Sequence, residues 1–312
     1  MNRQKIVHIW QAETGIVAIS PAAAEAIAPR ETKMLVEGLA REAERLKGTA
    51  ALQAFNDRLR REWSLETGLI EGLYILDRGT TTTLIERGFD PRYIRHGTSD
   101  KPAEQVIETL NDHQSVLDGL YDLIKGNRAI TTSYIKELHS QLTRSQSTTT
   151  ARDSMGQLHE IPLRRGEWKI QPNRPVRDTT TYAYAPPEQT GSEMDRLVSE
   201  YHRLESLKLD PIVTAAWLHH RFTQIHPFQD GNGRVVRALV TLVLIRAGLT
   251  PFIVTSKQRG DYLDALEAAD RDPSPEGLSS LIALIRDRCI SDYSTLKRVA
   301  PQMQIDRADD ET

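Results

Sequence analysis

Between His226 and Arg237 the chain reads HPFQDGNGRVVR, a dozen residues holding one histidine, one acid, two glycines and two arginines. Each of these types has a use in handling phosphate. His226 can take a proton near neutral pH. Asp230 suits the holding of Mg2+ beside phosphates better than a direct meeting with phosphate. Gly231 and Gly233, on either side of Asn232, tolerate unusual backbone angles, so successive N–H groups can turn into one concavity. That concavity lies at the positive end of a helix, where an anion is stabilised. From Gly233 onward, GRVVRALVTLVLIRAG reads as a helix whose non-apolar positions are Arg234, Arg237 and Thr241. Steps of three and four place them in one stripe on an otherwise apolar cylinder. Such a helix belongs in a core, where bare guanidinium groups are costly. The stripe must therefore face paired acids or a cavity that holds an anion, and the glycine turn ahead of it favours the cavity.

Other signatures are missing. GNGRVV has Val236 where a dinucleotide fingerprint needs its third glycine, and neither GxxxxGK(S/T) nor HExxH occurs. His219 and His220 lack the partners of a zinc site and read as helix packing. With 312 residues, 39% of them hydrophobic and 27% charged, the chain can bury a sizeable core in one large domain or two modest ones. A formal net charge of −3 gives no general reason to expect nucleic acid or an anionic membrane, so a local basic site must carry any anion. The single cysteine, Cys289, excludes an intrachain disulfide and a thiolate metal cluster. With no secretory apolar run and no stretch of ~18 apolar residues, a cytoplasmic protein without membrane partners is expected.

The elements that must position these residues read as mostly helical. KIVHIW and GIVAIS suggest two short strands, and the Ala- and Glu-rich stretch after them a helix broken at Pro29. ALQAFNDRLRREWSLETGLIEGLYIL reads as a helix weakened late by Gly68 and Gly72. Thr80 to Thr83 read as a loop or a helix start, and Asp100 as the cap of a helix with Pro102 in its first turn. Val106, Leu110, His113, Leu117, Leu120 and Ile124 then form an amphipathic stripe. AITTSYIKELHSQL restarts a helix behind a threonine. The Pro-, Thr- and aromatic-rich segment that follows predicts a small hairpin with EWKI and TTYAY as its arms. Four more helical stretches surround and follow the motif, and the last dozen residues read as an acidic, frayed end.

HPFQDGNGRVVR resembles the core motif of the Fic family, HPFx(D/E)GN(G/K)RxxR, at every specified position. YIKELH, YAPPE, AAWLHHRFTQI and RGDYLDAL agree, so the likeness spans roughly residues 105–290. The resemblance implies a mainly α fold: a Fic-type helical core with an inserted β-hairpin flap, plus an N-terminal region of short strands and helices. It implies an N-terminal region over 1–100, a catalytic domain over 101–300 and an acidic tail over 301–312. The implied activity is transfer of AMP from ATP to a protein hydroxyl. His226 would be the general base and Asp230 the ligand of Mg2+. Gly231, Asn232 and Gly233 would line the anion hole. Arg234 would hold the β-phosphate and Arg237 the γ-phosphate, while Phe228 packs inward and pins the loop. Gly233, where a lysine marks the phosphorylating branch, favours nucleotidyl transfer. Tyr262 stands where the family often has two tyrosines near the adenine; the second position here is Leu263. The hairpin around Arg164 to Ile170, with Arg165, Gly166, Glu167 and Trp168, resembles the flap that docks a target segment by strand pairing.

TGLIEG, Thr67 to Gly72, resembles the family's inhibitory pattern (S/T)xxxE(G/N), within a segment over 64–76, in a class II-like arrangement. Thr67 and Glu71 share a helix face, and Gly72 would permit close approach. A glutamate from another helix would satisfy Arg237 when ATP is absent and would occupy the γ-phosphate place. The partners implied are ATP and a protein bearing a Ser, Thr or Tyr hydroxyl, the chain itself and a homodimer included. Two alternatives stay open: a de-AMPylase or a transferase of another nucleotide on the same fold, and a non-catalytic nucleotide-sensing module. About two dozen residues follow RDRC, too few for the winged helix of a DNA-binding relative.

Overall fold

The computed structural model of the protein describes residues 5–152, 155–173, 176–177 and 180–309. Its centre is a pair of packed helices, α8 (Pro211–Ile225) and α9 (Asn232–Arg246), joined by the loop that carries the motif. α8 starts where the sequence provides a cap: the Asp210 carboxylate accepts from the N–H groups of Ile212 and Val213, with Pro211 in the first turn. Nearly every residue of both helices is buried, as expected of apolar stretches with no solvent face.

Around the pair lie α3 (Ala50–Ile70), α5 (Ala103–Lys125), α6 (Thr132–Leu142), α7 (Pro187–Ser206), α10 (Arg259–Arg271) and α11 (Ser279–Asp309). The α5 stripe faces inward, with Val106, Leu110, His113, Leu117 and Leu120 buried. Thr131 caps α6 by accepting from the Tyr134 N–H. The break at Pro29 separates α1 (Pro21–Ala26) from α2 (Thr32–Arg45). One hydrophobic core takes residues from Ile16 to Leu296, and a smaller cluster of Leu65, Tyr74, Leu84, Ile94, Val106, Ile107 and Leu110 lies beside it.

α3 matters most for the site, because five contacts fix it to the core. Trp63 Nε1 donates to Thr241 Oγ1 at 3.0 Å, which places the third member of the α9 stripe on α3. Glu66 accepts from the Ser256 N–H, and Glu62 forms a two-pronged ion pair with Arg288 on α11. His113 Nδ1 bonds to Ser64 O, and Arg259 Nε donates to Ile70 O at the helix end.

Four sequence expectations fail here. The hairpin is formed by β2 (Thr148–Arg152) and β3 (Leu158–Pro162), with Thr149 opposite Ile161, upstream of the stretch read as its first arm. EWKI is turn and irregular chain, and the second arm, β5 (Thr180–Ala183), pairs in parallel with β1 (Lys5–His8) and antiparallel with β4 (Val176–Arg177). GIVAIS forms no strand. Asp100 does not cap α5; its carboxylate accepts from the Ile75 N–H at 2.6 Å instead. Thr80 to Thr83 meet the second of their two readings, since they stand in the first turns of α4 (Arg78–Arg87), capped by Asp77. The chain end read as frayed continues α11 to Asp309. Among the described residues no helix is long and apolar enough to cross a membrane.

Candidate active site

Within the loop between α8 and α9, two left-handed residues and a side-chain staple set the path of the chain. His226 ends α8 with φ 51° and ψ 61°, and Gly231 begins α9 with φ 77°, a conformation that glycine adopts without strain. Between them, Asn232 closes a small ring: its Oδ1 accepts from the Phe228 N–H and its Nδ2 donates to Phe228 O, both at 2.8 Å. The Asn232 side chain is therefore spent on the loop and takes no part in lining an anion hole. Only its backbone N–H, with those of Gly233 and Arg234, is left at the helix start without an intrahelical acceptor. Phe228 points inward as expected, fully buried and stacked on the His139 ring at 3.8 Å between centroids.

Behind this turn the two guanidinium groups are each 1% exposed. Arg234 donates to Gln146 Oε1 at 2.6 Å and to Leu142 O at 3.1 Å, and lies 3.9 Å from Asp230 Oδ1. Arg237 Nη2 donates to Glu71 Oε1 at 2.8 Å and to Thr67 O at 3.3 Å. The Nε of each arginine is buried and has no acceptor among the described residues. Burial alone would lower the Arg237 pKa, yet Glu71 and Tyr262 hold it above its ordinary value. For Arg234, burial outweighs the pull of Glu71 and Asp230, and the shift is downward.

Asp230 faces the mouth of the turn. Its Oδ2 accepts from Gln146 Nε2 at 2.7 Å and Thr149 Oγ1 at 3.1 Å, and its Oδ1 from the Gly231 N–H at 2.6 Å. Burial would raise the carboxyl, but Arg234, Gln146, Gly231 and Thr149 together carry it below the usual carboxylate value. It is ionised at neutral pH. Among the described residues no cluster of three or more His, Cys, Asp or Glu could enclose a metal ion. A lone ionised carboxylate beside the Gly231 turn nonetheless fits Mg2+, which takes few protein oxygens and completes its shell from water and substrate phosphates.

Glu71 comes from the end of α3, 20% exposed at its side chain, and enters the start of α9 beside Gly233. Gly233 is what makes room: a Cβ there would collide with Glu71 Oε1 and stand 3.0 Å from Arg237 Nη1. The close approach expected of Gly72 is thus a correction, since a Cβ on Gly72 meets nothing within 4 Å. Gly72 instead supplies φ 67°, which turns the chain after α3. Thr67 contributes through its backbone carbonyl. Tyr262 is buried rather than open to a ligand ring, with its hydroxyl 2.8 Å from His219 Nε2 and close to Arg237. Burial drives His219 down to about 3, so it is neutral, a packed histidine as its sequence context predicts.

Arg165, Gly166, Glu167 and Trp168 occupy a tight turn, so this segment is not the strand of a hairpin. It does lie against the motif. The Gly166 N–H donates to His139 Nδ1 at 2.9 Å, which leaves the proton on Nε2 to be donated to Asp230 O at 3.0 Å. The Trp168 ring lies 5.0 Å from Phe228, and Glu167 pairs with Arg164. Sequence reasoning missed several of these partners. His139 sits on the inner face of α6 among Ile135, Leu138 and Leu142, a buried polar position that the helical period alone could have flagged. Tyr184 stacks on His226 at 4.2 Å. Gln146 and Lys169 carry no local signal, since their partners lie far along the chain.

Comparison with known proteins agrees with this geometry. The Fic/DOC family model matches residues 129–244. A Fido domain-containing protein of Dictyostelium discoideum is 39% identical over 100 residues, covering 32% of this chain and 70% of that protein. Protein adenylyltransferase fic-1 of Caenorhabditis elegans is 33% identical over 99 residues, covering 30% of this chain and 20% of its own length. The match therefore spans about one fifth of that adenylyltransferase. The crystal structure of a Fic domain containing signaling protein from Bacteroides thetaiotaomicron superposes with a TM-score of 0.66 at 26% identity, over 86% of this chain and 97% of that one. The span matched by the family model contains the motif, and the chain belongs to the Fic/DOC family.

Proposed function

We propose that the protein transfers AMP from ATP to a Ser, Thr or Tyr hydroxyl of a protein, its own chain included, and releases pyrophosphate. The observation that carries this reading is the pair of buried guanidinium groups with unpaired Nε donors, set behind the glycine-turned start of α9. Buried donors without acceptors are costly, and the phosphates of a nucleotide would satisfy them. His226 takes the proton of the attacking hydroxyl. The hydroxyl oxygen bonds to the α-phosphorus, the bond from that phosphorus to the β-phosphate oxygen breaks, and pyrophosphate leaves. Arg234 and Arg237 hold the β- and γ-phosphates, and the free N–H groups at the start of α9 stabilise charge on the reacting phosphate. Mg2+ held by Asp230 would neutralise phosphate charge. The segment from Arg165 to Ile170, bound to the His226 turn and exposed at Ile170, is where we dock the target. The name of the adenylyltransferase relatives supports this chemistry.

In the same proposal Glu71 is a brake. Its carboxylate holds Arg237 at 2.8 Å where the γ-phosphate would bind, and it is anchored by a helix fixed to the core. Incubation with labelled ATP and Mg2+ tests both parts. Glu71→Gly is expected to label itself, or an added target, at least about tenfold faster than the unaltered protein. Adding His226→Ala should abolish labelling. Tight ATP binding by Glu71→Gly with no labelled product would favour a nucleotide-sensing module instead.

A further inference from the structure

We infer that Lys169 is a positioning residue for His226, fixing the histidine's backbone through two hydrogen bonds that straddle it. The inference builds on the reading of His226 as the base. Lys169 Nζ donates to Ile225 O at 2.9 Å, and its backbone N–H donates to Pro227 O at 2.9 Å. His226, between those two carbonyls, is a non-glycine residue in left-handed backbone. Such a conformation persists only where the surroundings over-determine it. The histidine's own N–H, bonded to Phe222 O, fixes the turn from the α8 side alone. Lys169 fixes it from outside the motif, on both flanks.

The chemistry of the lysine makes a packing role insufficient. It is 3% exposed, and burial with no carboxylate acting on it brings the ammonium down to about 7. A methionine would fill the same space without that desolvation. What compensates the amine is the carbonyl end of α8: Ile225 O is one of the orphan acceptors of the last turn, at the negative end of the helix dipole. Asn173 continues the strap, its Nδ2 donating to Phe228 O at 3.1 Å and Gln229 O at 3.2 Å. The 163–173 segment thus holds the whole loop from His226 to Gln229, with Lys169 at the residue that does the chemistry.

Lys169→Met tests this, with activity read in the Glu71→Gly background. The expected result is a fall of about 10- to 100-fold in kcat, because sub-ångström misplacement of a base costs that much, with KM for ATP unchanged. Amide hydrogen exchange at His226, measured by NMR, should accelerate by about tenfold or more in the same variant. Unchanged exchange overturns the inference, as does unchanged kcat beside faster exchange. If Lys169→Met does not fold, Lys169→Gln replaces it: its amide falls one bond short of Ile225 O, and a kcat at the parent level overturns the inference. Absence of any transfer in Glu71→Gly with Lys169 intact is a failure of the proposed activity. The exchange measurement still decides the positioning role.

Discussion

Asn232 shows how one side chain in the motif serves structure so that its neighbours can serve chemistry. Its amide both receives from and donates to the Phe228 backbone, and it is the acceptor of the Phe228 N–H among the described residues. Asn232→Ala is expected to cost about 1–3 kcal/mol by leaving that buried N–H unsatisfied, measured by urea unfolding. Phe228 O suffers less, because Asn173 also donates to it. The residue types and spacing of the motif made His226, Asp230, Arg234 and Arg237 legible in the sequence. Steps of three and four on an apolar helix leave few physical options for two arginines. The sequence did not separate the two uses of Asn232, backbone donor or side-chain staple, since both require the same residue at the same place. Gly72 and Gly233 were likewise exchanged: each is a glycine beside the glutamate, but only the folded contact shows which one gives up its Cβ for Glu71.

Among the elements, α3 brings Glu71 to Arg237 and is itself fixed to α9, α5 and α11. Gly68 marks how tightly its last turns are packed. A Cβ there would stand 2.5 Å from Tyr74 Cζ, and the buried Tyr74 hydroxyl donates to Leu65 O at 2.9 Å. Helix propensity alone would make Gly68→Ala stabilising by about 1 kcal/mol. The packed tyrosine reverses the sign, and a loss of about 1–3 kcal/mol is expected by thermal or urea denaturation. A gain would show that Tyr74 does not hold the end of α3. The helices were legible because each carries its own period and caps, as with Thr131 and Asp210. The hairpin was not. TTYA has strand character, but its partner β1 comes from the opposite end of the chain, and no local pattern names that pairing.

At the scale of the whole molecule, His113, His139 and His219 are buried near the α3–α8–α9 junction and under the motif, each neutral. Burial is the largest cause in each case, bringing His113 to about 3, His139 to about 4 and His219 to about 3. Each folded-state pKa lies below the unfolded value of about 6.5, so below that pH the unfolded chain binds more protons than the folded one. The stability they contribute is complete above about pH 6.5 and is lost as pH falls toward 4. Together they predict a decline of up to about 4 kcal/mol per pH unit between pH 6 and 5, measured as a falling unfolding midpoint. A midpoint unchanged between pH 7 and 5 would place these histidines in contact with water.

In the proposed function the whole molecule turns on one competition, between Glu71 and a γ-phosphate for Arg237. Calorimetric titration with Mg2+ present, of ATP and of ADP into the unaltered protein and into Glu71→Gly, measures it directly. ATP affinity is expected to rise about 10- to 100-fold on loss of the glutamate, while ADP, which has no γ-phosphate, changes by less than about threefold. Equal ATP affinity in the two proteins, or an equal gain for ADP, would contradict the assignment of Arg237 to the γ-phosphate and of Glu71 as its stand-in.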